Sequence, residues 1–271
     1  MTLTKPVLSL LSPAGPKARL SVLIFHRVLA QQDPLFPEEL DAQQFERVCQ
    51  WISQWLNVLP LDDAVCRLRS GSLPSRAAAI TFDDGYADNR EVALPILQRY
   101  GLCATFFIAT GFLDGGCMWN DVVIEAVRHS AAARLNLGAL GIAAQQSVAV
   151  GSDGEKRAAI GMIVAGLKYL PEKQRREAAT WIARAAGVAQ PTKIMMTSRQ
   201  IVEMHRAGMQ IGAHTVTHPI LGTLDRVDAR AEMLQSKRYL EELLEDPVPL
   251  FAYPNGKPQI DFTDESSAIV R

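Results

Sequence analysis

Three apolar runs punctuate the first 110 residues. RLSVLIFHRV at 19–28, AAAITF at 77–82 and LCATFFIA at 102–109 are near-continuous aliphatic, β-branched and aromatic stretches. Runs of that length and make-up predict strands buried on both faces. Segments of helical spacing lie between them. Asp41, with Gln44 three residues on, predicts a capped helix to about Trp55. NVLP at 57–60 predicts a short strand, and a helix is expected from Asp62 towards Ser70. Asp88 and Glu91 predict a second capping box, opening a helix that runs to Tyr100 and stops at Gly101. Beyond residue 195 the pattern predicts a helix at 198–207 closed by Gly208 and a strand at 209–213. A long charged helix with a Leu/Met stripe is expected at about 225–245, and PLFAYP at 249–254 as the last strand. Buried strands alternating with helices predict an α/β fold, a parallel sheet covered by helices, open or closed as a barrel.

The stretch from about 114 to 192 departs from this rhythm. It is rich in Ala, Gly and Arg and helical in pattern, apart from a candidate strand at 146–150, and Pro171 punctuates it. It reads as a helical insertion into a domain spanning 18–271. Composition then excludes several classes. Of 271 residues, 48% are hydrophobic and 21% charged, with a net charge of −1, so there is no basic footprint for nucleic acid. The apolar patch at 7–11 is broken by Pro13 and is too short to span a bilayer or to act as a signal segment. The four cysteines form no C-x-x-C pair and sit in apolar contexts, which predicts free buried thiols and a cytoplasmic protein.

The polar residues that carry chemistry fall at the expected strand ends. These are His26, then Asp83 and Asp84, then His214 and His218, then 254–256. In parallel α/β folds that end of the sheet is where ligands bind. Asp83 and Asp84 are adjacent carboxylates, and two like charges so close need a cation beside them. His214 and His218, four apart in HTVTHP, can present both imidazoles to one side. Two histidines and one carboxylate form a three-ligand set with open positions, suited to catalytic zinc or iron. The other aspartate can then act as general base on a water beside the metal.

TFDDG at 81–85, HTVTH at 214–218 and FAYPNG at 251–256 together resemble the three leading motifs of the polysaccharide deacetylases, the NodB-homology or carbohydrate esterase family 4 group. FHRV at 25–28 and the lead-in EMHRAGMQIGAHT fit the same order. The resemblance covers roughly 20–113 and 195–262. It implies a distorted (β/α) barrel with a divalent metal, usually Zn2+. By that resemblance Asp84, His214 and His218 are metal ligands and Asp83 is the catalytic base. The resemblance also implies that the backbone N–H of Asn255, between Pro254 and Gly256, helps hold an oxyanion. The implied reaction is hydrolysis of an N-acetyl or O-acetyl group on a sugar. The substrate would be an acetylated glycan or lipid-linked sugar of exopolysaccharide or cell-envelope metabolism.

Three departures qualify the match. Many relatives carry an arginine in the third motif, where this chain has Ala252; the F-A-Y-P-x-G form resembles an exopolysaccharide-associated subgroup. No histidine follows His218, so the late Leu-x-x-His motif, which supplies the family's general acid, has no counterpart. Either the sequence is a fragment, with the closing strands and that acid outside it, or another group substitutes, for which His26 is the candidate. The insertion also has no counterpart in the minimal fold; Trp119 at its start could lie over a sugar ring, or simply anchor the insertion. Tyr253 and Pro254 are further candidates for substrate contact. Two other readings stay open: a catalytically impaired carbohydrate-binding homologue, and a small-molecule amidohydrolase of the same superfamily.

Overall fold

The computed structural model describes residues 4–140 and 147–270. In chain order the elements are α1 (Thr4–Leu11), β1 (Ser21–Phe25), α2 (Ala42–Trp55), β2 (Asn57–Val58), α3 (Leu61–Ser70), β3 (Ala77–Phe82), α4 (Leu94–Arg99) and β4 (Thr105–Ile108). There follow α5 (Trp119–His129), β5 (Arg134–Asn136), β6 (Ser147–Ala149), α6 (Asp153–Leu167), α7 (Glu172–Ala185), α8 (Ser198–Arg206), β7 (Gln210–Ala213), α9 (Arg226–Leu244) and α10 (Asp264–Val270). The chain divides into two compact units. One comprises Met1–Gln31, Glu39–Leu113 and Met196–Arg271; the other comprises Gln32–Glu38 and Asp114–Met195.

The first unit is built on a parallel sheet of order β1-β3-β4-β7, with β2 joining the start of β3. β3 is buried along its whole length. Its register with β1 pairs Phe25 with Phe82, and β4 pairs Phe106 with Phe82. The three rings therefore line up across the sheet, at 5.3 Å and 4.8 Å between centroids, with Phe45 of α2 edge-on to Phe25 and Phe82. Helices α2, α4, α8 and α9 add Cys49, Leu97, Ile201, Met204 and Leu240 to the same core. Asp41 caps α2 with the expected Gln44 capping box, and Asp225 caps α9.

Three expectations are corrected here. β1 is not buried on both faces: Val22 and Ile24 are 44% and 62% exposed. Among the described residues it pairs only with β3, so it is an edge strand with one open face. PLFAYP contributes a single bridge, Phe251 with Ala213, rather than a full strand. Pro249 and Pro254 bracket it, and neither has an N–H for a ladder. Asp88 does not cap the helix that follows; it is itself helical and its carboxylate faces Arg27 and the amide of Val28, a tertiary pairing that replaces the local one.

The second unit packs α5, α6 and α7 around Val123, Ile163, Leu167 and Ile182. The antiparallel hairpin β5–β6 adds Leu135 and Val148. Gln146, the first residue of the candidate strand, lies outside the described residues. Among the cysteines, all free, only Cys49 is buried and Cys66 is exposed, against the expectation of four buried thiols; burial pushes the Cys49 thiol up to about 12.

Candidate active site

All the strands of the first unit point their carboxyl ends the same way, so the residues after them gather at one end. His26 follows β1, Asp83 follows β3, Thr110 lies just past β4, and His214 follows β7. The bridge at Phe251 brings Ala252 alongside. Backbone bonds hold these ends in step: Asp83 N–H donates to the Phe25 carbonyl, Ala109 N–H to that of Asp84, and His214 N–H to that of Ile108.

The Asp84, His214 and His218 side chains converge, each offering one ligand atom, all within 4.8 Å of one another. Asp84 Oδ1 lies 3.2 Å from His218 Nε2 and 3.5 Å from His214 Nε2. Asp84 and His214 are only 7% and 2% exposed. Oδ1 is buried, yet no hydrogen bond of good geometry satisfies it. His214 Nδ1 lies 2.9 Å from the Ala252 carbonyl oxygen. A carbonyl only accepts, so Nδ1 carries a proton, which leaves Nε2 as the nitrogen that a cation beside Asp84 would use. A tetrahedral centre with bonds of about 2.0–2.1 Å spaces its ligands about 3.3 Å apart. The donor set, the orphaned buried oxygen and the spacing all fit a divalent cation. Burial alone would raise the Asp84 carboxyl, but the two imidazoles outweigh it and hold the group well below the usual carboxylate range. Burial likewise opposes charge on His214, and Asp84 and Asp83 reverse this, raising it.

Asp83 is half-buried on the same strand end, and burial raises its carboxyl against the pull of His214 and then His26. Among the described residues no arginine pairs with it; position 252 offers only a methyl group and its backbone. His26 is exposed, with its carbonyl bonded by the Asn89 amide at 2.8 Å. Asp88 next door takes Arg27 at 2.8 Å and the Val28 amide at 3.2 Å. The FHRV segment is thus pinned to the helix that follows TFDDG.

Backbone strain concentrates here. Asp84, Thr215, His218 and Asn255 all have positive φ, of 77°, 66°, 52° and 62°. For a β-branched residue such as Thr215 this is a rare conformation, and such outliers persist where surrounding structure over-determines them. The 214–218 loop shows how. Thr110 and Gly111 donate to the carbonyls of Thr215 and Val216, His218 N–H donates to Thr215 Oγ1, and the Val216 and Thr217 amides both donate to Glu232 of α9. The third-motif loop has a comparable tie: the amides of Gly256 and Lys257 donate to Asp261 Oδ2, at 3.3 Å and 3.0 Å.

Glu232 and Asp261 were not singled out by sequence. Pro254 is buried, Asn255 half-buried, and the Tyr253 ring stacks on Phe262 at 4.4 Å. Trp119 opens α5 in the second unit, where the Arg175 guanidinium lies 5.4 Å over its ring, so one face of the indole is already taken.

The first unit is thus a parallel α/β sheet with an Asp–His–His cluster that could hold a metal ion beyond its strand ends. The sequence profile described as polysaccharide deacetylase matches residues 70–133 and 167–269, more than half the chain, and the chain belongs to that family. It is 21% identical over 242 residues to "Putative polysaccharide deacetylase YxkH" of Bacillus subtilis (strain 168), spanning 89% of this chain and 58% of that relative. Among solved structures, the Streptococcus pyogenes deacetylase PplD in complex with acetate superposes with a TM-score of 0.57 at 20% identity, covering 93% of this chain and 78% of that one. IcaB from Ammonifex degensii gives 0.56 at 17%, covering 96% and 80%. These likenesses bear out the expected NodB-type α/β fold.

Proposed function

We propose that the protein is a metal-dependent hydrolase that removes acetyl groups, N-acetyl foremost, from a sugar or polysaccharide. The observation that carries this reading is the buried, orphaned Oδ1 of Asp84 facing two imidazole nitrogens, with a second carboxylate, Asp83, one residue away. Asp84, His214 and His218 would hold the cation, Zn2+ by the character of the donors. Bound there, it would supply Lewis-acid polarisation of the acyl oxygen and a more acidic water.

The remaining chemistry belongs to the chain's own residues. Asp83, ionised, takes the proton of the attacking water. The N–H of Asn255, turned by its left-handed backbone, donates to the oxygen that gains charge as water adds to the acetyl carbon. His26 delivers a proton to the leaving nitrogen. The C–N bond breaks, and the products are acetate and a free amine on the sugar. Membership of the polysaccharide deacetylase family supports a glycan, free or lipid-linked, over a cyclic amide as substrate.

A second reading, a glycan binder without turnover, draws on the methyl group at Ala252, which cannot orient Asp83. One assay separates the two. Acetate release from N-acetylglucosamine oligomers is measured with Zn2+ or Co2+, beside Asp83→Asn. Metal-dependent release that drops about 10²–10⁴-fold in the variant supports the hydrolase. Metal and glycan binding with no release supports the binder.

A further inference from the structure

We infer that Glu232 is a positioning residue for the ligand loop: its carboxylate clamps the backbone between His214 and His218 and so sets the geometry in which the two imidazoles meet Asp84. This rests on the proposed metal role of that loop. Three bonds carry it. Glu232 Oε2 accepts from the amides of Val216 and Thr217, each at 2.8 Å, and Oε1 accepts from the Thr217 hydroxyl at 2.7 Å. The consecutive amides of Val216 and Thr217 aim at one carboxylate oxygen and form a small anion-binding concavity, directly after the left-handed Thr215.

Among the described residues, the loop's other backbone hydrogen bonds run to β4's end or to the loop itself. The amides of Val216 and Thr217 turn to Glu232 instead, and a carboxylate is the strongest acceptor for them. Glu232 reaches them from the second turn of α9, on the same stripe as the buried Ala229, Met233 and Ser236. A carboxylate on the core-facing stripe of a helix has no use there unless it meets donors, and here it meets three. With the amides released, Thr215 and His218 would be free to relax from positive φ, and His218 would lose its bearing on Asp84.

The test compares the full chain with Glu232→Gln and Glu232→Ala, with Val227→Ala, on the exposed face of α9, as a control. His214→Ala marks loss of a ligand itself. Two quantities are read: amide hydrogen exchange at Val216 and Thr217 in metal-free protein, and Co2+ affinity from the visible absorption of the bound ion. Loss of a supporting partner of this kind costs metal affinity about 10–100-fold. Glu232→Gln keeps the shape and one acceptor, and is expected near the lower figure; Glu232→Ala is expected near the upper. Both are expected to speed exchange at 216 and 217 while Val227→Ala changes neither. If Glu232→Ala does not fold, the isosteric Gln variant decides. A folded Glu232→Gln with wild-type Co2+ affinity overturns the inference and leaves the metal reading intact. Wild-type protein that binds no Co2+ overturns both.

Discussion

His214 donates its Nδ1 proton to the carbonyl oxygen of Ala252, across 2.9 Å, so the second motif is oriented by the backbone of the third. The contact fixes the tautomer that leaves Nε2 free for a cation. Aspartate 84 supplies the charge that makes the site a strong one. Replacing Asp84→Asn keeps the shape but removes the carboxylate charge, and metal affinity is expected to fall at least as far as the ~10–100-fold lost with outer partners. Calorimetric titration of metal-free protein with Zn2+ measures it; unchanged affinity would place the metal elsewhere.

His26 is separable from the metal cluster. If it protonates the leaving nitrogen, His26→Gln is expected to slow acetate release from an N-acetyl sugar about 10²-fold. Hydrolysis of p-nitrophenyl acetate, whose leaving group needs no proton, is expected to change little. Equal losses on both substrates would remove His26 from that role.

The metal's effect on stability is expected to grow with pH. Asp84 is held low, so its contribution to the metal-free fold is present above about pH 3.9 and fades only as pH falls further. His214 is raised, so its contribution is complete below about pH 6.5 and is lost as pH rises through the raised value. A cation must displace the His214 proton, so it competes poorly in acid. The gain in Tm on adding Zn2+, measured at pH 5.5 and pH 8, is expected to be larger at pH 8. A gain independent of pH would mean that the imidazoles are not ligands.

Gly111 has a packing reason to lack a side chain. A Cβ there would stand 2.7 Å from the Val216 carbonyl oxygen, inside the loop that carries both histidines. Gly111→Ala is expected to cost about 1–3 kcal/mol by urea titration, as overpacking does elsewhere. It is also expected to weaken metal binding, since the loop must shift to admit the methyl.

Much of the first unit was legible in the chain. β3 matches its predicted span of 77–82, and α2 opens at Asp41 with the capping box that Gln44 foretold. These signals are local: a run of six residues of which five are apolar, or a cap and its partner three residues apart. What the sequence hid was tertiary. Nothing local says that Asp88 will turn to Arg27 and Val28 instead of capping its own helix, or that the run at 21–25 forms an edge. The convergence of Asp84 with His214 and His218 followed from one topological argument, that parallel strands end together. Glu232 was hidden because it reads as one more charge on a charged helix. Its signal was its phase, on the stripe with Ala229 and Met233.

The sheet joins β4 to β7, neighbours in space whose facing residues Ile108 and Ala213 are separated by about a hundred positions of chain. Asp84 leaves the ribosome 130 residues before His214 (214 − 84). At roughly 5–20 residues per second, that is a wait of about 6–26 seconds. Throughout it, the two aspartates sit at the tip of β3 with neither of the imidazoles that later offset their charge, and β4 has a bare edge. A chain made in that order therefore holds a left-handed acidic turn for the whole interval before the strand that carries its partners is complete.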